Sequence, residues 1–233
     1  MSRLIATLGS DLRFQVRQPS CTLCWLLAFS LGTVLALKAP QGSAPSLLPS
    51  MILLGLGGAA HFMVIFAWSR ERTESPFRLW GHSGTQRGTY LASKVLTATV
   101  LSMACGLIWF GLGSNSLHLR PVPFLTGVFL VASFYALLAL VRMNSCQQSE
   151  RYALMDGCLL VLLSALPILG ELDLLSNPLW YLWPSQPALL FLHGAFRPLA
   201  TWQWLYAGIY GTAILFASAL WARVALERHL ALE

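Results

Sequence analysis

Cys21-Thr-Leu-Cys24 is the first group in the chain with a chemically suggestive spacing. Two thiols separated by two residues can form a dithiol redox pair, and membrane quinone-linked thiol oxidases place such a pair at the end of a span. Cys105, Cys146 and Cys158 supply no second pair of that kind. Buried cysteines behave as small hydrophobes, so membrane packing is the favoured reading. His61, His82, His118, His193 and His229 are scattered over different segments. A metal site needs clustered ligands, and the expectation is no metal. No stretch has the Gly-x-x-x-x-Gly-Lys-Ser/Thr arrangement whose amides and lysine cradle phosphates, and Gly81, Gly84 and Gly88 do not replace it. Neither a G-x-S-x-G elbow nor an H-E-x-x-H pair occurs. The chain is therefore expected to carry no catalytic residue and to bind no cofactor itself. If it works with ATP, another polypeptide must hold the nucleotide.

Two further ionisable residues fall in apolar surroundings, where they are costly unless they line a cavity or find a partner. His61 follows Gly55, Gly57 and Gly58 in a long apolar run. It can either make a neutral interhelical hydrogen bond or line a pathway. Asp156, close to the start of another run, can pair with Arg151 or Arg142. The small-residue pairs Gly55 with Ala59 and Ala207 with Gly211 would allow helices to approach closely.

The elements carrying these residues are membrane spans. The chain is 56% hydrophobic and 10% charged, far from the roughly 25% charged composition of soluble domains. Its apolar residues come in runs near the roughly 20 needed to cross a bilayer. The expected fold is an all-α integral membrane domain covering residues 1–233, with six transmembrane helices. The spans are drawn at Cys21–Leu37, Leu47–Trp68, Tyr90–Phe110, Pro123–Val141, Leu154–Leu172 and Trp202–Ala222. Before them, Ser2–Ser20 mixes Leu4, Ile5, Leu8 and Leu12 with Arg3, Asp11, Arg13 and Arg17, the pattern of an interfacial helix. It lacks the signature of a cleaved signal peptide.

The net charge of +6 does not form the continuous basic patch that nucleic acid would need. It is distributed by topology instead. With six spans, twelve of the basic residues fall on one side, and only Lys38, Arg120 and Arg197 on the other. The positive-inside rule then places both termini in the cytoplasm. On the outer side, residues 170–201 hold Pro178, Pro184, Pro187 and Pro198 together with Trp180, Tyr181 and Trp183. Short or re-entrant helices beneath an aromatic belt are expected there, because Ala188–Leu192 cannot cross alone.

Arg70–Lys94 is the main charged interruption, holding seven of the chain's fifteen basic and nine acidic residues. Glu71, Arg72 and Glu74 lead into Ser75-Pro76, and Phe77, Leu79 and Trp80 supply an apolar face before Gly81 and Gly84. The segment reads either as a short amphipathic helix or as a solvated loop obeying the positive-inside rule.

Two motifs resemble a known family, the ABC type-2 exporter permeases of the fluoroquinolone-export kind. One is the acidic-basic run and apolar helix of Glu71–Lys94, closing in Tyr90-Leu91-Ala92-Ser93-Lys94. The other is Trp183-Pro184-Ser185-Gln186-Pro187-Ala188-Leu189 followed by Gly194-Ala195-Phe196. The resemblance runs from Asp11-Leu12-Arg13 to Glu227-Arg228-His229-Leu230. Ser83-Gly84 stands where that family usually has Thr-Pro, and Ser75-Pro76 replaces its glycine step.

The resemblance implies that residues 70–89 form a cytoplasmic coupling helix docking on a separate ABC ATP-binding subunit, which binds ATP and Mg. A second permease chain, identical or related, would complete the transporter in a bacterial or archaeal cell membrane. Arg72, Phe77, Arg78, Leu79 and Trp80 would make the docking contact. His61, Phe62, Ile65 and Met155 would border the substrate pathway. The function implied is export of a hydrophobic or amphipathic, drug-like compound. Rival readings are export of a lipid, peptide or haem-related molecule, a thiol oxidoreductase using Cys21 and Cys24, and a non-transporting scaffold.

Overall fold

A computed structural model describes residues 44–73, 87–117, 120–145, 150–164, 166–171 and 178–232, with isolated positions among the first 30. The described residues are helical, without a strand: α1 (Ala44–Thr73), α2 (Arg87–Leu117), α3 (Pro121–Ser145), α4 (Glu150–Ser164), α5 (Pro167–Glu171), a 3-10 helix (Pro178–Leu182), α6 (Gln186–Gly194) and α7 (Thr201–Leu232). Backbone groups in hydrocarbon must be satisfied within their own segment, so long apolar runs become helices. Four of these helices are long and apolar enough to cross a membrane, at Leu48–Ser69, Gly88–Gly111, Pro121–Met143 and Thr201–Arg228. The chain is a multi-pass membrane protein. The first expected span, Cys21–Leu37, lies outside the described residues apart from single positions.

The stretch expected to cross at Leu154–Leu172 differs from the others. It is divided into α4 and α5, with Leu166 in a turn between them. Pro167 supplies the reason, because proline donates no hydrogen bond and turns the residue before it away from helical geometry. Bonds from Leu166 N–H to the Leu163 carbonyl and from Leu169 N–H to the Leu166 carbonyl close the turn.

The bundle is built around α3, which packs against α1, α2, α6 and α7, while α4 packs on α1. Buried apolar residues run along its length, from Phe124 through Val128, Val131 and Tyr135 to Leu140. Small residues set how near its neighbours come. A Cβ at Gly57 of α1 would stand 2.7 Å from the Tyr135 ring, and one at Gly127 of α3 would stand 2.8 Å from the Leu192 side chain and 3.0 Å from its backbone nitrogen. Of the small-residue pairs on α7 and α1, Ala207 is fully buried and Gly211 faces Pro187 and Leu130, so that pair serves contacts within the chain.

Long helices that follow one another from α1 to α4 alternate in direction. Thr99 and Gly106 of α2 lie beside Ser133 and Val128 of α3, and Gly58 and His61 of α1 lie beside Val161 and Gly157 of α4. Arg70, Arg72, Arg87, Lys94, Arg142, Arg151, Arg223 and Arg228 therefore share one end of the bundle, and Arg120 and Arg197 the other. The sparsely basic end also carries the 3-10 helix and α6. The Tyr206 and Tyr210 hydroxyls of α7 donate to the carbonyls of Tyr181 and Leu182, groups that a short helix cannot satisfy internally. The Arg120 N–H donates to the Ala195 carbonyl at 3.0 Å, tying the start of α3 to the end of α6.

Candidate functional site

Hydrocarbon-facing helices carry few polar side chains, so the polar groups inside this bundle mark where it does more than pack. Two buried clusters and one partly exposed ion pair link different segments of the chain.

The first cluster joins α1, α3, α4 and the entry to α6. His61 is fully buried, and its Nδ1 lies 3.1 Å from the Tyr135 carbonyl oxygen, to which it donates. Its ring meets those of Phe62 and Tyr135 edge-on. The Tyr135 hydroxyl is 2.5 Å from Ser164 Oγ. Ser164 Oγ donates to the Val161 carbonyl at 2.9 Å, and Ser185 Oγ donates to the Ser164 carbonyl. Trp183 Nε1 donates to the Leu163 carbonyl at 3.1 Å. Pro167 cannot donate the i+4 bond to the Leu163 carbonyl, and Trp183 donates to it beside the Leu166 N–H, while Ser185 donates to the next carbonyl, that of Ser164. The polar chain thus connects the middle of α1 to the segment before α6. His61 Nε2 has no hydrogen-bond partner among the described residues. It faces Gly157, where a Cβ would be 3.1 Å away.

The second cluster sits at the basic end. Lys94 Nζ donates to Asp11 Oδ1 at 3.0 Å, with the two side chains 1% and 6% exposed. The Ser93 hydroxyl donates to the other Asp11 oxygen. The ammonium also lies 5.4 Å from the Tyr90 ring centroid, within cation–π range. Tyr90, Ser93 and Lys94 come together because residues three and four apart share one face of a helix. Removing one partner of such a buried pair costs about 3–5 kcal/mol, because it strands the other charge.

The partly exposed pair is Arg142 of α3 with Asp156 of α4, both side chains about a third exposed. Arg142 is one of the two arginines that the sequence offers to Asp156; the side chain of the other, Arg151, lies outside those described.

The sequence-nominated pathway residues separate. His61 and Ile65 converge on Gly157, and Phe62 flanks His61. Met155 is 72% exposed on the outside of α4 and does not join them. Of the nominated docking residues, Arg72 is in the last turn of α1, and Phe77, Arg78, Leu79 and Trp80 lie outside the described residues. The thiol pair Cys21 and Cys24 also lies outside them, and no metal-binding cluster occurs among the described residues. An apolar groove of about 550 Å³ runs between α2, α3 and α7, lined by Leu91, Val95, Phe129, Leu137, Leu215 and Phe216.

Sequence reasoning missed Tyr135, Ser164 and Ser185, since a lone hydroxyl in an apolar helix carries no positional signal. It also left Asp11 and Lys94 as separate charges, although opposite signs near the ends of two apolar runs were a visible hint.

No family model matches the chain. Across 98% of its length, the chain is 26% identical to the fluoroquinolones export permease proteins of two Mycobacterium tuberculosis strains, covering 98% of each of them. From one end to the other, this multi-helix membrane chain resembles an ABC exporter permease of the fluoroquinolone-export kind.

Proposed function

We propose that the chain is the membrane subunit of an ATP-driven exporter, moving a hydrophobic or amphipathic compound outward while a separate ABC subunit binds and hydrolyses ATP with Mg. The observation carrying this reading is the similarity to fluoroquinolones export permeases over 98% of both chains. The concentration of basic residues at one end of the bundle supports a cytoplasmic location for that end, by the positive-inside rule. The connection between α1 and α2 emerges there, where an ATPase could reach it. Arg72, Phe77, Arg78, Leu79 and Trp80 would dock on that subunit, with the apolar residues filling a groove and the arginines orienting the contact. A second permease chain would close the translocation path.

Substrate would pass along the α1–α4 contact. His61 contributes a nitrogen with no hydrogen-bond partner among the described residues there, and Gly157 allows the two helices to close on each other. Moving α4 away would open His61, Phe62 and Ile65 to a passing amphipath.

The test is transport in inside-out vesicles containing the chain and its ATP-binding subunit, with a fluoroquinolone as probe. ATP-dependent accumulation above vesicles that hold the ATPase alone is expected. No accumulation, together with no copurification of any ATPase, would overturn the reading.

A further inference from the structure

We propose that the buried Asp11–Lys94 pair is a mechanical link that makes the N-terminal segment move with α2, so that a displacement of the α1–α2 connection also reaches the chain leading into the first predicted span. The proposal rests on the exporter reading and adds a second transmission route to it.

Position supports the link. The connection that carries the proposed docking residues ends at Arg87, where α2 begins, and Lys94 is about two helical turns farther on. Helical hydrogen bonds join Arg87 to Lys94 without a break, so a push on the connection is carried to Lys94. Asp11 lies on the other side of the contact, shortly before Cys21, where the first predicted span starts. The carboxylate therefore ties α2 to a position shortly before the stretch that the sequence offers as a first span.

The chemistry makes the contact stiff. Both Asp11 oxygens are engaged, one by the Lys94 ammonium at 3.0 Å and the other by the Ser93 hydroxyl. An exposed pair would slip and be screened by salt, whereas this one is almost wholly withdrawn from solvent. A lysine serving only as a topology signal would extend its ammonium to the interface. Lys94 instead turns inward, against the Tyr90 ring and the Asp11 carboxylate. Separating the two would leave two buried charges unpaired, so the paired segments travel together.

The experiment measures molecules transported per ATP hydrolysed by the chain and its ATP-binding subunit in proteoliposomes. The first variant combines Asp11→Leu with Lys94→Met, which removes both charges and leaves none stranded. It is expected to retain ATP hydrolysis while transport per ATP falls about tenfold, a change within the range of ordinary coupling energies. The second combines Asp11→Cys with Lys94→Cys in a background without other cysteines, bridged by a short bis-methanethiosulfonate that reductant releases. Transport per ATP should be high when bridged and fall on reduction of the same sample. Wild-type stoichiometry in the apolar variant, or equal stoichiometry before and after reduction, would show that the pair only holds the fold and would overturn the link. Absence of ATP-dependent transport by the unmodified complex would instead overturn the exporter reading, and the link with it.

Discussion

Tyr135 shows how much of this bundle depends on single polar atoms. Its ring lies over Gly57, its carbonyl accepts from His61 and its hydroxyl meets Ser164. Tyr135→Phe keeps the ring and deletes only the last contact, so a stability loss of about 1 kcal/mol is expected. Thermal unfolding in detergent would measure it, with transport little changed. His61→Ala should cost more, about 2 kcal/mol, because it opens a cavity and removes the hydrogen bond to the Tyr135 carbonyl. On the proposed pathway it should also change the drug-resistance profile of cells expressing the complex. An unaltered profile would remove His61 from the pathway. His61 was conspicuous in the sequence because an ionisable residue in an apolar run is unusual. Its acceptor was not, since any backbone carbonyl in a neighbouring helix could have served.

The packing of whole helices is governed by small residues at a few crossings. Gly127 lets α6 approach α3 so closely that an added methyl would press on the Leu192 side chain and on its backbone nitrogen. Side chains can turn aside, whereas helix backbone cannot, so Gly127→Ala should destabilise by about 1–3 kcal/mol. A lowered unfolding temperature with unchanged membrane insertion would show it. The connection between α1 and α2 makes a different demand, on a partner. If Leu79→Ala combined with Trp80→Ala leaves ATPase copurification and substrate-stimulated hydrolysis intact, that connection is not the docking element. At least a severalfold loss of copurification is expected, on the order of that for a buried aromatic anchor. The interruption at Pro167 was open to reading, since proline breaks helices, yet hydropathy alone carries a span straight through it.

At the level of the whole chain, charge asymmetry makes the strongest claim. Single cysteines introduced at Arg197 and at Ser83, in a background without other cysteines, should react oppositely with a membrane-impermeant thiol reagent applied to intact cells. Labelling at position 197 and protection at position 83 are expected. The reverse pattern would invert the topology and put the proposed docking segment out of reach of an ATPase. The same asymmetry hid the Asp11–Lys94 contact, because Lys94 counts as one more positive residue at a span end until the fold buries it.

The residues by themselves determined that this chain is a helical, multi-pass membrane protein, and roughly where four of its spans lie. Hydrocarbon forces each long apolar run to satisfy its own backbone, so length and hydropathy suffice for that. Only the tertiary structure decided which helices touch and which polar groups meet. In a bilayer, a face turned to lipid and a face turned to another helix are equally apolar, so sequence does not tell them apart. That is why α3 emerged as the centre, Met155 as an outward residue and Asp11 as the partner of Lys94 only once the helices were assembled.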